Sequence, residues 1–97
     1  MALTGKQRRF LRAQAHHLDP VVLLGAAGLS DAVVAKVVQE LEQHELIKVK
    51  VNDGPEGARE LAPRLAERAG AELAQVIGKT LVLYRRRAKD PEIKLPV

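Results

Sequence analysis

The 97-residue chain contains no cysteine and no tryptophan, and one phenylalanine and one tyrosine, Phe10 and Tyr84, are its only aromatic residues besides three histidines. Without cysteine there can be no disulfide, thiolate metal site or cysteine nucleophile. Two aromatic rings cannot supply the series of exposed faces on which single-strand binders stack successive bases. No apolar run approaches the ~18 residues that would span a bilayer. The opening Met-Ala-Leu-Thr-Gly-Lys has no hydrophobic stretch followed by a small-residue cleavage site. A soluble, cytoplasmic protein with no membrane contact is expected. Ser30 is the only serine and reads as a helix cap, so no serine–histidine–acid arrangement is visible. His16 and His17, adjacent on a helix, point about 100° apart and cannot jointly grip a metal. These absences predict a non-enzyme with no metal, cofactor or small-molecule substrate.

What the chain does have is segregated positive charge. The formal net charge is only +4, but Lys6, Arg8, Arg9 and Arg12 lie in an acid-free stretch over 1–17. Lys79, Arg85, Arg86, Arg87 and Lys89 occupy a second such stretch over 79–89. The other 69 residues hold seven cations against twelve acids. Mixed signs suffice for solubility; separated signs are the footprint of a polyanionic partner. With so few aromatic rings, a nucleic acid would be held through phosphates, sugars and shape.

The pattern of apolar residues predicts one α/β domain over 1–97, with its core at about 3–87 and a C-terminal tail over 88–97 that is loose at its end. A first helix spans about 4–17, with Leu3, Gln7, Phe10, Leu11, Gln14 and Leu18 on one side and Arg8, Arg9, Arg12 and His16 opposite. Asp19-Pro20 ends it. Val21-Val22-Leu23-Leu24 reads as an apolar strand in the sheet interior. Ser30 or Asp31 caps a second helix over about 31–44. Residues 46–51 alternate, with Ile47, Val49 and Val51 inward and Lys48 and Lys50 on a wet face. A turn over 52–55 leads to a third helix over 57–69, closed by Gly70 and interrupted by Pro63, which should kink it or delay its start. Residues 72–77 and 80–85 form strands joined by a tight hairpin at Gly78-Lys79. The order α-β-α-β-α-β-β implies a two-layer domain with a mixed four-stranded sheet.

Two glycine motifs bear on function. Gly25-Ala26-Ala27-Gly28 joins a strand to a helix; small residues there permit close backbone approach, and the helix start offers free N–H groups. A GXXG loop clamping nucleotide backbone is the KH-domain device. Strand-to-helix turns also use glycine for ordinary reasons, and Asp31 sets a negative charge near any phosphate bound there. Ile77-Gly-Lys-Thr80 ends like a nucleotide-binding P-loop, but Leu73 stands where that motif needs glycine and a strand follows instead of a helix. An NTPase site is excluded.

Five ordered segments carry a further resemblance: Leu3-Thr-Gly-Lys-Gln7, Leu18-Asp-Pro-Val-Val-Leu-Leu-Gly25, Gly28-Leu-Ser30, His44-Glu-Leu-Ile-Lys-Val-Lys50 and Val76-Ile-Gly-Lys-Thr-Leu-Val-Leu-Tyr-Arg85. From about residue 3 to 87 the chain resembles the CRM domain, the chloroplast RNA splicing and ribosome maturation module, in its stand-alone bacterial YhbY-like form. The resemblance implies a fold similar to the C-terminal domain of translation initiation factor three, RNA binding, and association with precursors of the large ribosomal subunit. It maps the binding loop to Gly25, Ala26, Ala27 and Gly28, and basic positions to Lys6, Lys48, Lys50, Lys79 and Arg85. Plant members carry a lysine inside the loop, whereas both middle residues here are alanine, so the loop would act through backbone N–H groups.

The combined expectation is a monomeric ribosome-assembly factor that binds ribosomal RNA or pre-ribosomal large-subunit particles. Its expected contact residues are Gly25–Gly28 with Lys6, Arg9, Arg12, Lys48, Lys50, Lys79, Arg85 and Arg86. Two other readings stay open: a module recruited to the ribosome by a protein partner through the second and third helices, and a non-specific nucleic-acid binder that prefers duplex DNA.

Overall fold

A computed structural model describes residues 3–52 and 57–97, so Asp53, Gly54 and Pro55 of the expected turn lie outside the described residues. The element order is α1 (Gly5–Ala15), β1 (Pro20–Leu24), α2 (Asp31–His44), β2 (Leu46–Val51), α3 (Ala58–Ala69), β3 (Glu72–Ile77) and β4 (Thr80–Tyr84). Each helix start has a local cause. Thr4 and Gln7 form a reciprocal capping box on α1. The Ser30 hydroxyl accepts from the Val33 N–H at 3.2 Å to open α2. Gly70, at φ 66°, closes α3 in the left-handed conformation.

Pro63 sits inside α3 without delaying its start. It lies on the exposed face, while Leu61, Ala62, Leu65, Ala66 and Ala69 bury the opposite one. That apolar stripe outweighs the one main-chain hydrogen bond the proline forgoes.

The strands form one sheet in the order β1-β2-β4-β3. Strand β1 runs parallel to β2, and β4 is antiparallel to both β2 and β3. Three strands therefore point the same way, and β4 returns between two of them. Side-chain alternation divides the interior in two. Ile47, Val49, Val51, Leu81 and Leu83 face α2 and α3 in the larger cluster. Leu46, Val82, Tyr84 and Ala74 face Leu3, Leu11 and Ala15 of the α1 segment in the smaller one. Helix α1 thus adds a partial third layer to the expected arrangement.

Two expectations need correction. Strand β1 is an edge strand, because β2 alone pairs with it; Val22 and Leu24 are buried, whereas Leu23 is 59% exposed. Four apolar residues in a row suggest a strand covered on both faces, but α1 does not extend over the far end of β1. The tail is also docked: Ile93 and Leu95 pack on the smaller cluster, and the Gln7 side-chain amide donates to the Pro96 carbonyl at 3.1 Å.

Glu45 holds this tail in place. It is fully buried and joins α2 to β2 with φ 60°, a conformation unfavourable for a residue with a side chain. One carboxylate oxygen accepts from the Glu92 and Ile93 N–H groups at 2.7 and 2.9 Å, and the other accepts from the Arg87 N–H at 2.8 Å. Burial pushes its pKa up, but the three N–H donors and the Arg87 charge together carry it below the ordinary carboxylate value. A lowered folded-state pKa contributes stability that is complete above the ordinary value of 4.5 and is lost as pH falls through the lowered one. Glu45→Gln should therefore cost about 3 kcal/mol in denaturant unfolding at pH 7. The gap between variant and parent should narrow on acidification below pH 4.5; a gap independent of pH would show that the carboxylate charge is not what fastens the tail.

Candidate nucleic-acid interface

Because β1, β2 and β3 are parallel, their carboxyl ends share one edge of the sheet, the edge where α/β folds commonly bind ligands. The Gly25–Gly28 loop leaves β1 at this edge. Its turn is closed by the Gly28 N–H donating to the Gly25 carbonyl at 3.0 Å, and Gly28 has φ 67°, a left-handed conformation that favours glycine. Ala26 and Ala27 are exposed, and among the described residues no backbone hydrogen bond engages their N–H groups. A Cβ at Gly25 would meet nothing within 4 Å, so the approach to this backbone is open.

The β3–β4 hairpin reaches the same edge. Gly78, at φ 56°, leads the two-residue turn with Lys79, and β4 follows as a strand, so this is a hairpin and not a nucleotide-binding loop. The end of β2 ties loop and hairpin together. The Val51 N–H donates to the Lys79 carbonyl at 2.8 Å, and the Asn52 N–H to the Leu24 carbonyl at 3.0 Å.

Beside this edge, part of the α1 side of the sheet is uncovered. Lys50 lies there between Leu23 and Thr80 in register, and Lys48 lies one row below, beside Val82. A cleft of about 300 Å³ between helix and sheet is lined by Arg12, Ala15, His16, Lys48, Gln75, Ile77 and Val82. Tertiary structure therefore brings Arg12 and His16 of the first basic stretch to Lys48, with no carboxylate among the described residues lining the cleft. Phe10 and Tyr84 pack on the smaller cluster; Tyr84, at 2% exposure, has no open face for stacking, and Phe10 is half-buried.

The remaining expected residues lie elsewhere. The Arg85 N–H pairs with the Glu45 carbonyl at the opposite end of β2, and its guanidinium donates to the Ala69 carbonyl at 3.4 Å, at the end of α3. Arg87 likewise donates to the Glu42 and Gln43 carbonyls at the end of α2. Two of the three consecutive arginines thus satisfy helix ends, which a run of like charge does not announce. Arg86 is exposed beside Gln7 and Lys94 at that opposite end, and Lys6 donates to the Val97 carbonyl at 3.3 Å. Arg9 is exposed on α1, three residues from Lys6 and from Arg12.

One residue that sequence reasoning missed bears directly on the loop. Arg68 of α3 pairs with Asp31 in the first turn of α2 and donates to the Leu29 carbonyl at 3.4 Å. It braces the segment after Gly28 and offsets the negative charge that Asp31 would otherwise present near the loop. Spacing does not reveal this pair, which is 37 residues apart.

Comparison with known proteins follows the same lines. The CRS1 / YhbY (CRM) domain family model matches residues 3–85. Over 95 residues the chain is 41% identical to "Probable RNA-binding protein YqeI" of Bacillus subtilis, covering 97% of this chain and 99% of that one. It is 42% identical over 95 residues to an RNA-binding protein of Haemophilus influenzae, covering 97% and 95%. The solution structure of the hypothetical protein SAV1595 from Staphylococcus aureus superimposes with a TM-score of 0.75 at 39% identity, covering 97% and 99%.

Arg68→Ala should change unfolding stability by less than about 1 kcal/mol, because the pair is solvent-exposed. Amide exchange at Gly28 and Ser30, measured by NMR, should nevertheless quicken. Unchanged exchange would mean that the turn's own hydrogen bonds suffice to hold the loop.

Proposed function

The chain belongs to the CRS1 / YhbY (CRM) domain family, and from that premise we propose that it is a non-enzymatic, cytoplasmic, monomeric RNA-binding protein that acts in assembly of the large ribosomal subunit. The observation that carries the RNA reading is the shared carboxyl edge of the sheet. There the exposed residues Ala26 and Ala27, whose N–H groups make no backbone hydrogen bond among the described residues, adjoin the Lys79 hairpin and the uncovered face bearing Lys50, Lys48 and Arg12. Phosphate oxygens accept from such N–H groups and lysines without reading base identity. The two proteins named above as RNA-binding support RNA as the partner; precursor large-subunit RNA as the target rests on the family resemblance.

In this reading the backbone of Gly25–Gly28 approaches one stretch of sugar–phosphate chain. Arg12, Lys48, Lys50 and Lys79 neutralise phosphates on either side of it. Lys6, Arg9 and Arg86 form a more remote group that adds long-range attraction. The Arg85 guanidinium donates to the Ala69 carbonyl at the end of α3 and, being at the opposite end of the sheet, belongs with this remote group.

The deciding experiment is a salt titration of binding to naked ribosomal RNA and to immature large-subunit particles. Ala26→Asp with Ala27→Asp places two carboxylates at exposed positions, so the fold should survive, as circular dichroism would show. Affinity should fall by at least about tenfold through repulsion of phosphate. Arg12→Ala or Lys50→Ala should each flatten the slope of log affinity against log salt by roughly one unit. Affinity independent of salt, or undiminished in the double aspartate variant, would sink this assignment.

A further inference from the structure

One cross-strand row on the uncovered sheet face is not explained by phosphate contact. In register it reads Leu23 on β1, Lys50 on β2, Thr80 on β4 and Ile77 on β3. Leu23 and Ile77 are 59% and 54% exposed, although most large apolar side chains of the sheet are buried. They sit at the two ends of the row, three strand spacings or about 14 Å apart. Lys50 and Thr80 lie between them. Ile77 also forms part of the cleft where Arg12, His16, Lys48 and Gln75 converge.

We infer that this face seats unpaired nucleotides of the bound RNA, with Leu23 and Ile77 as two separate apolar seats for base or sugar. The inference rests on the RNA reading above and names the kind of RNA. Among the described residues, neither the row nor the cleft carries a carboxylate; Lys50 lies in the row, Arg12 and Lys48 line the cleft, and Lys79 is in the turn beside Thr80. A face so charged suits a polyanion better than an apolar peptide.

The position of the aliphatic groups then separates two forms of RNA. A continuous duplex presents phosphates and 2′-hydroxyls along its outside, and its deep major groove is closed to side chains. Laid on this row, it would set polar groups against Leu23 and Ile77 and leave them without apolar contact. Unpaired nucleotides can turn a base face onto an aliphatic side chain while their phosphates meet Lys50 and Lys48. Gln75, both donor and acceptor, and His16 stand at the cleft beside the Ile77 seat, where an exposed base edge can be hydrogen-bonded. Separate seats also fit the scarcity of exposed aromatic rings: bases are held singly and not as a stack.

The test compares an RNA hairpin carrying two unpaired nucleotides in its stem with the same stem fully paired. One unpaired position is 2-aminopurine, whose fluorescence reports its surroundings. The parent protein should bind the interrupted stem about tenfold more tightly and change the fluorescence. In the variant Leu23→Ser with Ile77→Ser, that preference and the fluorescence change should be lost while the salt slope is kept. Both side chains are more than half exposed, so the fold should persist; circular dichroism checks this. Equal affinity of the parent for the two stems, or a preference that survives in the variant, overturns the inference and leaves the RNA reading standing. Failure of the parent to bind either stem removes both. If the variant keeps its RNA preference but no longer binds large-subunit particles, the face takes a protein and the inference is likewise wrong.

Discussion

Two backbone hydrogen bonds at the end of β2 hold the candidate site together, one to Lys79 and one to Leu24. Strand β2 is interior to the sheet, parallel to β1 and antiparallel to β4, so its final N–H groups fall between the glycine loop and the hairpin. Neither of those segments has a core of its own. Their separation is set by β2, whose side chains are anchored in both hydrophobic clusters: Ile47, Val49 and Val51 in one, Leu46 in the other. A slip of one residue in β2 would exchange those faces and bury Lys48 and Lys50. The same alternation that builds the interior therefore keeps the lysines on the uncovered side.

The opposite end of the sheet is organised by buried charge. Glu45 collects main-chain donors from the tail, while Arg85 and Arg87 satisfy carbonyls at the ends of α3 and α2. Arg85 and Arg87 there complete helix termini and Arg87 fastens the tail, in contrast to exposed Arg86 and to the cations facing the loop edge. This contrast divides the basic residues into a structural set and an accessible set. Arg68 falls between the two, since it braces the loop from α3 while pairing with Asp31.

Much of this was readable from local chemistry. The alternation over 46–51, the Ser30 cap, Gly70 as a left-handed terminator and the Gly78-Lys79 hairpin each depend on a few adjacent residues and recur in the structure. The edge position of β1 and the docking of the tail were not readable in this way. Exposure of Leu23 depends on where α1 ends over the sheet, and burial of Ile93 and Leu95 depends on Glu45, nearly fifty residues earlier.

The sequence alone determined the element order, the α/β class, the family and the separation of charge, because periodicity, capping and motif order are properties of neighbouring residues. Only the tertiary structure decided which cations stand together. Arg12 meets Lys48 because α1 crosses the sheet, and Lys79 joins the glycine loop because β2 ends between them. Arg85, three residues beyond Val82 on the cleft floor, instead turns to the end of α3. Proximity along the chain does not fix proximity across a sheet, since strand order and helix crossing are set by long-range packing.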